Sequence, residues 1–276
     1  MNHILIPTDF SECANQATEV AFEIAKKTGA KILFLHSLEV PMGWVMMSKD
    51  MEDHYPDIRK QMGEVKGQLS EMVKIANRNG IKAIQSLAFS DSYKDVAQTL
   101  KDKDQDLIVI GSHGRLGVDR FFLGSVATKI MRVAKTPVLI IKKRPENFQF
   151  KTIVFASGLE EDTHGAFGRL LNFVEDLGAK NLHFVEITTP HNFKPSKIVR
   201  DQMEAFVKEH NFKSLQLHNY NHYNIESGII EFAHNVKADM IALATHGRSG
   251  LSKLFVESIP ENLVKYTEIP ILSIRT

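Results

Sequence analysis

Cysteine is almost absent: Cys13 is the only one in 276 residues. No internal disulfide can form, and a cysteine-based zinc cluster is excluded. Long apolar runs are missing as well, and none approaches the ~18 residues a membrane-spanning helix needs. Neither sign of charge is in excess. The 34 Lys and Arg against 33 Asp and Glu leave +1, which points neither to nucleic acid nor to a membrane surface. The opening "MNHILIPTDF" runs straight into a strand-like segment and leaves no room for a signal peptide. Together these absences set the expectation of a cytoplasmic protein. A hydrophobic content of 43% allows a full core, over a length that suits one large domain or two ordinary ones.

The two halves of the chain repeat one another. "HILIPTDFS" at 3–11 resembles "TIVFASGLE" at 152–160, and "KILFLHSLEV" at 31–40 resembles "NLHFVEITT" at 181–189. "DLIVIGSHGRLG" at 106–117 resembles "DMIALATHGRSG" at 239–250, and "KTPVLIIKK" at 135–143 resembles "EIPILSIRT" at 268–276. The polar "KRPENFQFK" around 143–151 reads as a linker.

Within the first copy, short runs rich in Ile, Val and Leu at 4–8, 32–38, 107–111 and 137–141 suit strands buried on both faces. Helical spacing lies between them. Ala17, Val20, Ala21 and Ile24 share one stripe that Gly29 ends, and a second helical segment stops at Gly80. "SYKDVAQTLKDKD" precedes the fourth strand and "GSVATKIMRVAK" the fifth. This alternation predicts an α/β fold with a mostly parallel sheet, whose ligands bind beyond the carboxyl ends of the strands.

At that end of the fourth strand stands "GSHGRLGVDRFFLGS", residues 111–125. Backbone N–H groups in a glycine-rich turn form a nest for anions, and the helix that follows adds its unpaired amides and dipole. Gly111 and Gly114 let the backbone approach a phosphate chain; Gly124 and Ser125 bring in the helix N-terminus. Tight turns alone are the competing explanation for these glycines. There is no GxxxxGK[ST] run and no GxGxxG after the first strand, so P-loop and dinucleotide folds are unsupported.

Glycine, two residues, glycine, nine residues, glycine-serine, together with "PTDFS" closing the first strand, resembles the universal stress protein family in its ATP-binding subgroup. The resemblance covers the whole chain as a tandem pair. It implies two five-stranded parallel sheets of order 3-2-1-4-5, in nucleotide-binding α-hydrolase-like domains spanning 1–145 and 150–276. It implies ATP across the carboxyl ends of the strands, with Mg²⁺. Asp9, after Pro7 and Thr8, is expected near the ribose or a phosphate-bound metal, and Ser37 at the adenine edge. Ile110 is expected to pack on the nucleotide; Gly111, His113 and Gly114 line the phosphates, and Gly124, Ser125 and Val126 cap them. In that family the fifth strands pair between subunits. Here "TPVLII" and "IPILSI" are placed to pair within the chain as a pseudo-dimer, and a homodimer of chains is also expected.

Asp9 has a second reading as a helix N-cap, compatible with the first. The second copy carries Gly158, Ala244 and Glu257 where the first has Asp9, Gly111 and Gly124. A carboxylate within ~5 Å of a phosphate charge repels it by about 3 kcal/mol at an effective dielectric near 20. ATP is therefore expected in the first domain only, with the second serving assembly or contacts to a protein partner. Two rivals stay open. One is a slow ATPase or phosphotransferase using Ser125 or His113, with no arginine placed to stabilise a transferring phosphate unless Arg115 does so; the other is a non-nucleotide scaffold. Cys13 is expected to be a small helix residue. "HNYNHYN" at 218–224 reads as a polar loop, and Met42, Trp44, Met46 and Met47 as an apolar lid or partner surface.

Overall fold

The structure is a computed structural model that describes residues 1–90, 105–114, 123–146, 148–159, 163–208, 210, 212, 214–245 and 259–276. Its strands are β1 (His3–Pro7), β2 (Lys31–Glu39), β3 (Ala83–Ser90), β4 (Leu107–Gly111) and β5 (Val138–Ile141) in the first half. The second half supplies β6 (Thr152–Ala156), β7 (Asn181–Thr188), β8 (Leu215–Asn221), β9 (Met240–Thr245) and β10 (Ile271–Arg275). The helices are α1 (Glu12–Thr28), α2 (Lys49–Glu52), α3 (Pro56–Arg78), α4 (Ser125–Val133), α5 (His164–Leu177), α6 (Ser196–Val207), α7 (Ile225–Asn235) and α8 (Ile259–Tyr266). The expected helix at "SYKDVAQTLKDKD" lies outside the described residues.

All ten strands form one sheet, in the order β3-β2-β1-β4-β5-β10-β9-β6-β7-β8. Each half has the expected 3-2-1-4-5 order and is parallel throughout. The halves meet where β5 pairs with β10 antiparallel, Val138 to Ser273 and Ile140 to Ile271. The apolar fifth strands thus cover each other inside one chain, and neither remains a bare edge.

Burial explains why these segments are strands. Every residue of β4 and β5 is buried, because helices lie on both faces of the sheet. α1, α3, α5 and α6 cover one face, with Ile4, Ile6, Phe34, Phe155 and Phe184 beneath them. α4, α7 and α8 cover the other, over Leu5, Leu35, Ile108, Val154 and Ile241. Both cores run through the seam without a break. α1 begins at Ser11, whose side chain accepts the Ala14 amide, and ends at Gly29 in the left-handed region (φ 75°).

The linker differs from expectation. Phe150 is fully buried, edge-on to Phe148 and Phe173, so this polar-looking segment is fastened to the core. Polar contacts also bind the halves. Arg132 pairs with Glu261 at 2.7 Å, Lys142 Nζ donates to the Lys265 carbonyl at 2.7 Å, and Arg275 reaches the Val133 carbonyl at 3.4 Å.

Two further expectations are refined. Residues 218–221 of the "HNYNHYN" tract belong to β8 rather than to a loop. The His218 ring lies 4.9 Å from Phe232 on α7 and 5.1 Å from His183 on β7, both tilted, and this half-buried face sets the strand. After β2, Trp44 is buried against Leu38 and Val40, while Met42 and Met46 stand 83% and 94% exposed. Among the described residues no helix is long and apolar enough to cross a membrane.

Candidate functional site

The carboxyl ends of β1 and β4 bring three short backbone segments together. The first follows Pro7. Thr8 continues the ladder with its N–H on the Leu35 carbonyl (2.9 Å), then its hydroxyl accepts the Phe10 amide (3.0 Å). Asp9 Oδ1 accepts the Ser11 amide at 3.0 Å. These two tight turns hold Phe10 at φ 60°, a left-handed conformation that is costly for a bulky residue. Ser11, not Asp9, caps α1. Asp9 is thereby fixed at the mouth of the sheet with a carboxylate oxygen facing the second segment.

That segment is Gly111–Gly114. A Cβ on Gly114 would land against Asp9 Oδ2, inside van der Waals contact, and 3.5 Å from its Cγ. Gly114 is bare because the Asp9 carboxylate lies over it. Gly111 has a different reason for being bare. It is the last residue of β4, paired with Ile141, and a Cβ there would come 3.0 Å from Ala14 N, Cys13 C and Cys13 Sγ. The first turn of α1 crosses it, so packing by itself demands glycine at 111.

The third segment starts α4. The Gly124 N–H donates to the Ser112 carbonyl at 2.7 Å, and its missing Cβ would lie 3.3 Å from that oxygen and 3.5 Å from His113 Cα. As N-cap of α4, Gly124 has no side chain to bond the first-turn amides, and Ser125 at the first helical position is exposed. The helix therefore presents amide donors and the positive end of its dipole beside Gly114. Val126 is half-buried against the core below. Arg115 and Gly117 lie outside the described residues.

A flatter wall adjoins this cradle. β1 and β2 stop pairing at Pro7 and Leu35, while β2 runs on beside β3 with Ser37 opposite Ala88. Leu35, Ile110 and Ala88 share the face that α4 covers. Ile110 is only 5% exposed, so it forms the floor of that wall.

Cys13 and Ser112 belong to the site too, and the motif spacing does not mark them. Cys13 Sγ donates to the Ile141 carbonyl at 3.2 Å and lies 3.8 Å from Ser112 Oγ, which in turn is 3.0 Å from His113 Nδ1. Both are buried, and only the fold brings residues 99 positions apart into contact.

The second half repeats the first turn closely. Ser157 N–H donates to Val185 O (3.3 Å), its hydroxyl accepts the Leu159 amide (3.2 Å), and Leu159 sits at φ 66°. Gly158 occupies the place of Asp9, so the backbone is kept without the carboxylate. At the wall, Ile187 opposite Tyr220 replaces Ser37 opposite Ala88. α7 presses on this wall: a Cβ on Gly228 would come 2.8 Å from Ile187 Cγ2 and 2.9 Å from His222 Cβ. The Tyr220 hydroxyl is tied to Glu231 of α7 at 2.5 Å. Ile187, Tyr220 and His222 line this wall. Nearby, His183 Nδ1 and His218 Nε2 approach to 3.0 Å, and burial lowers the pKa of both imidazoles. His246, Gly247, Gly250, Glu257 and Ser258 lie outside the described residues.

Comparison with known proteins gives a consistent picture. The family model described as the universal stress protein family matches residues 1–142 and again 149–275. A universal stress protein of Synechocystis is 23% identical over 298 aligned positions, covering 100% of both chains. One from Methanocaldococcus jannaschii is 29% identical over 140 residues, which is 51% of this chain and 81% of that protein. The crystal structure of a universal stress protein from Archaeoglobus fulgidus shares the fold, with a TM-score of 0.73 at 20% identity over 99% of this chain and 98% of the other.

Proposed function

We propose, for a chain that belongs to the universal stress protein family with two tandem domains, that its first half binds ATP with Mg²⁺. On this reading it acts as a nucleotide-dependent stress or signalling protein, while the second half serves assembly and partner contacts. The observation that carries this is the convergence of Asp9, Gly114 and the open N-terminus of α4.

The residues fit such a ligand. The amides around Gly114 and at the start of α4 suit phosphate oxygens, and a Cβ at 114 or 124 would crowd the space between the segments. The wall of Ser37, Ala88, Leu35 and Ile110 suits a flat base. Asp9 suits a metal-bound phosphate or a ribose hydroxyl. A carboxylate about 5 Å from a bare phosphate charge costs about 3 kcal/mol at an effective dielectric near 20. Bound Mg²⁺ supplies the positive charge that lets carboxylate and phosphate share the site. The second half has Gly158 in place of Asp9, and Ile187 and Tyr220 line its wall where the first half has Ser37 and Ala88.

Isothermal titration with MgATP is expected to give one site per chain, weakened at least tenfold by EDTA and by Asp9→Ala. Two comparable sites, or no binding together with no small molecule released from denatured protein, would overturn the proposal.

A further inference from the structure

We propose that His36 is a positioning residue of the first mouth, whose protonated Nδ1 holds the Thr8 carbonyl and so steadies the turn that presents Asp9. The consequence for MgATP rests on the nucleotide reading above; the hold on the turn stands without it.

His36 follows Leu35 at the point where β2 runs on past the end of β1. The two residues grip Thr8 from both sides: the Leu35 carbonyl accepts the Thr8 N–H at 2.9 Å, and His36 Nδ1 lies 2.8 Å from the Thr8 carbonyl. A carbonyl only accepts, so Nδ1 carries a proton. This holds whatever Nε2 meets, because an imidazolium is protonated on both nitrogens. The ring also stacks on Phe10, with centroids 4.9 Å apart and planes 23° from parallel. Asp9 is thus flanked by two residues that the same imidazole touches. Phe10 is the residue at φ 60°, a conformation that a bulky side chain keeps only with support from its surroundings.

The second half makes the contrast. Pairing of Thr152 with Asn181, as of His3 with Lys31, places Glu186 where the first half has His36. Glu186 is buried and pairs with Lys194 at 3.4 Å, and an ionised carboxylate cannot donate to a carbonyl. The turn still forms there, with Leu159 at φ 66°. The imidazole is therefore not what makes the chain turn. It stands in the half whose turn carries a carboxylate, and glutamate replaces it where Gly158 carries none. Partners one step removed from a metal-facing group set how well that group is aimed.

The test uses the full chain, first without nucleotide. A long-range ¹H–¹⁵N spectrum of protein labelled at histidine nitrogen, with the His36 signals assigned through His36→Asn, should show a proton on Nδ1. His36→Phe keeps a ring beside Phe10 and loses the donor; His36→Asn keeps an N–H near the Nδ1 position and loses the ring. His36→Phe should speed hydrogen exchange of the Phe10 and Ser11 amides and weaken MgATP binding, each about tenfold. His36→Asn should stay near wild type in both. In an Asp9→Ala background His36→Phe should weaken MgATP no further. An unprotonated Nδ1 in the wild type overturns the proposal, and that spectrum, with His36→Asn, decides it even if His36→Phe does not fold. Unchanged exchange in folded His36→Phe, or an equal loss of affinity with and without Asp9, overturns it as well. A protonated Nδ1 and faster exchange, in a chain whose wild type binds no MgATP, support the hold on the turn and defeat only the nucleotide reading.

Discussion

Gly114→Ala tests the closest approach in the site. The φ of Gly114 lies outside the left-handed region, so alanine is tolerated by the backbone and the cost falls on Asp9. The new methyl forces the carboxylate back by about 1 Å to reach normal contact. Oδ1 cannot retreat and keep its 3.0 Å bond to the Ser11 amide, and a hydrogen bond to a charged group is worth about 1.5–3 kcal/mol. Gly114→Ala should therefore lower the unfolding free energy by about 1–3 kcal/mol. In an Asp9→Ala background the obstacle is gone, and the same substitution should cost less than about 0.5 kcal/mol, since alanine also restricts the unfolded chain. Urea unfolding of the four proteins of this double-mutant cycle should give a coupling of about 1–2.5 kcal/mol. Additivity within about 0.5 kcal/mol would refute the claim that glycine stands at 114 to make room for Asp9.

Three other outcomes follow from the same geometry. Gly111→Ala should lower Tm by roughly 2–10 °C, because its methyl meets the backbone of Cys13 and Ala14 at 3.0 Å and overpacking costs about 1–3 kcal/mol; an unchanged or higher Tm in a thermal scan refutes it. Burial holds the pKa of His183 and His218 below the ordinary histidine value, so the unfolded chain binds protons first as pH falls. Their contribution is flat above about pH 7 and is lost below about pH 6.5, at up to about 1.4 kcal/mol per pH unit for each. Replacing them with the residues of the first half, His183→Leu with His218→Ser, should shrink the urea-measured stability loss between pH 7.5 and 5.5, and an equal loss in both proteins counts against it. Tyr220→Ala with Ile187→Ser should open the second wall without creating a second MgATP site by calorimetry, because Gly158 supplies no carboxylate; a new site of similar affinity would show that the wall alone decides.

Much of the fold is legible in the chain. Strands buried on both faces betray themselves as continuous Ile, Val and Leu runs, and α1 shows both its stripe and its Gly29 stop. β3 and β8 are harder, because each is an outer strand. Ile84 on β3 is 66% exposed, and β8 is mostly polar, so neither has a periodic apolar face. Phe150 hides in a polar linker, since one anchoring ring leaves no pattern. At the site, the spacing of Gly111, Gly114 and Gly124 identifies the loop but not the separate reasons for its glycines. Those reasons are contacts with Cys13, Asp9 and Ser112, and long-range contacts have no local signature. Ser112 escapes notice for the same reason: nothing next to it in sequence shows that its hydroxyl is enclosed between Cys13 and His113.

The antiparallel join of β5 and β10 has a geometric outcome. Strands on either side of it point in opposite directions, so the two mouths open on opposite rims of the molecule, out of each other's reach. A partner clasping one rim leaves the other clear. Any message between them has to travel through the seam, where Lys142 and Arg275 each hold the tail of a helix from the opposite half. α4 starts at the first mouth and ends under Arg275, so a shift along its axis would be felt at the last residues of the chain.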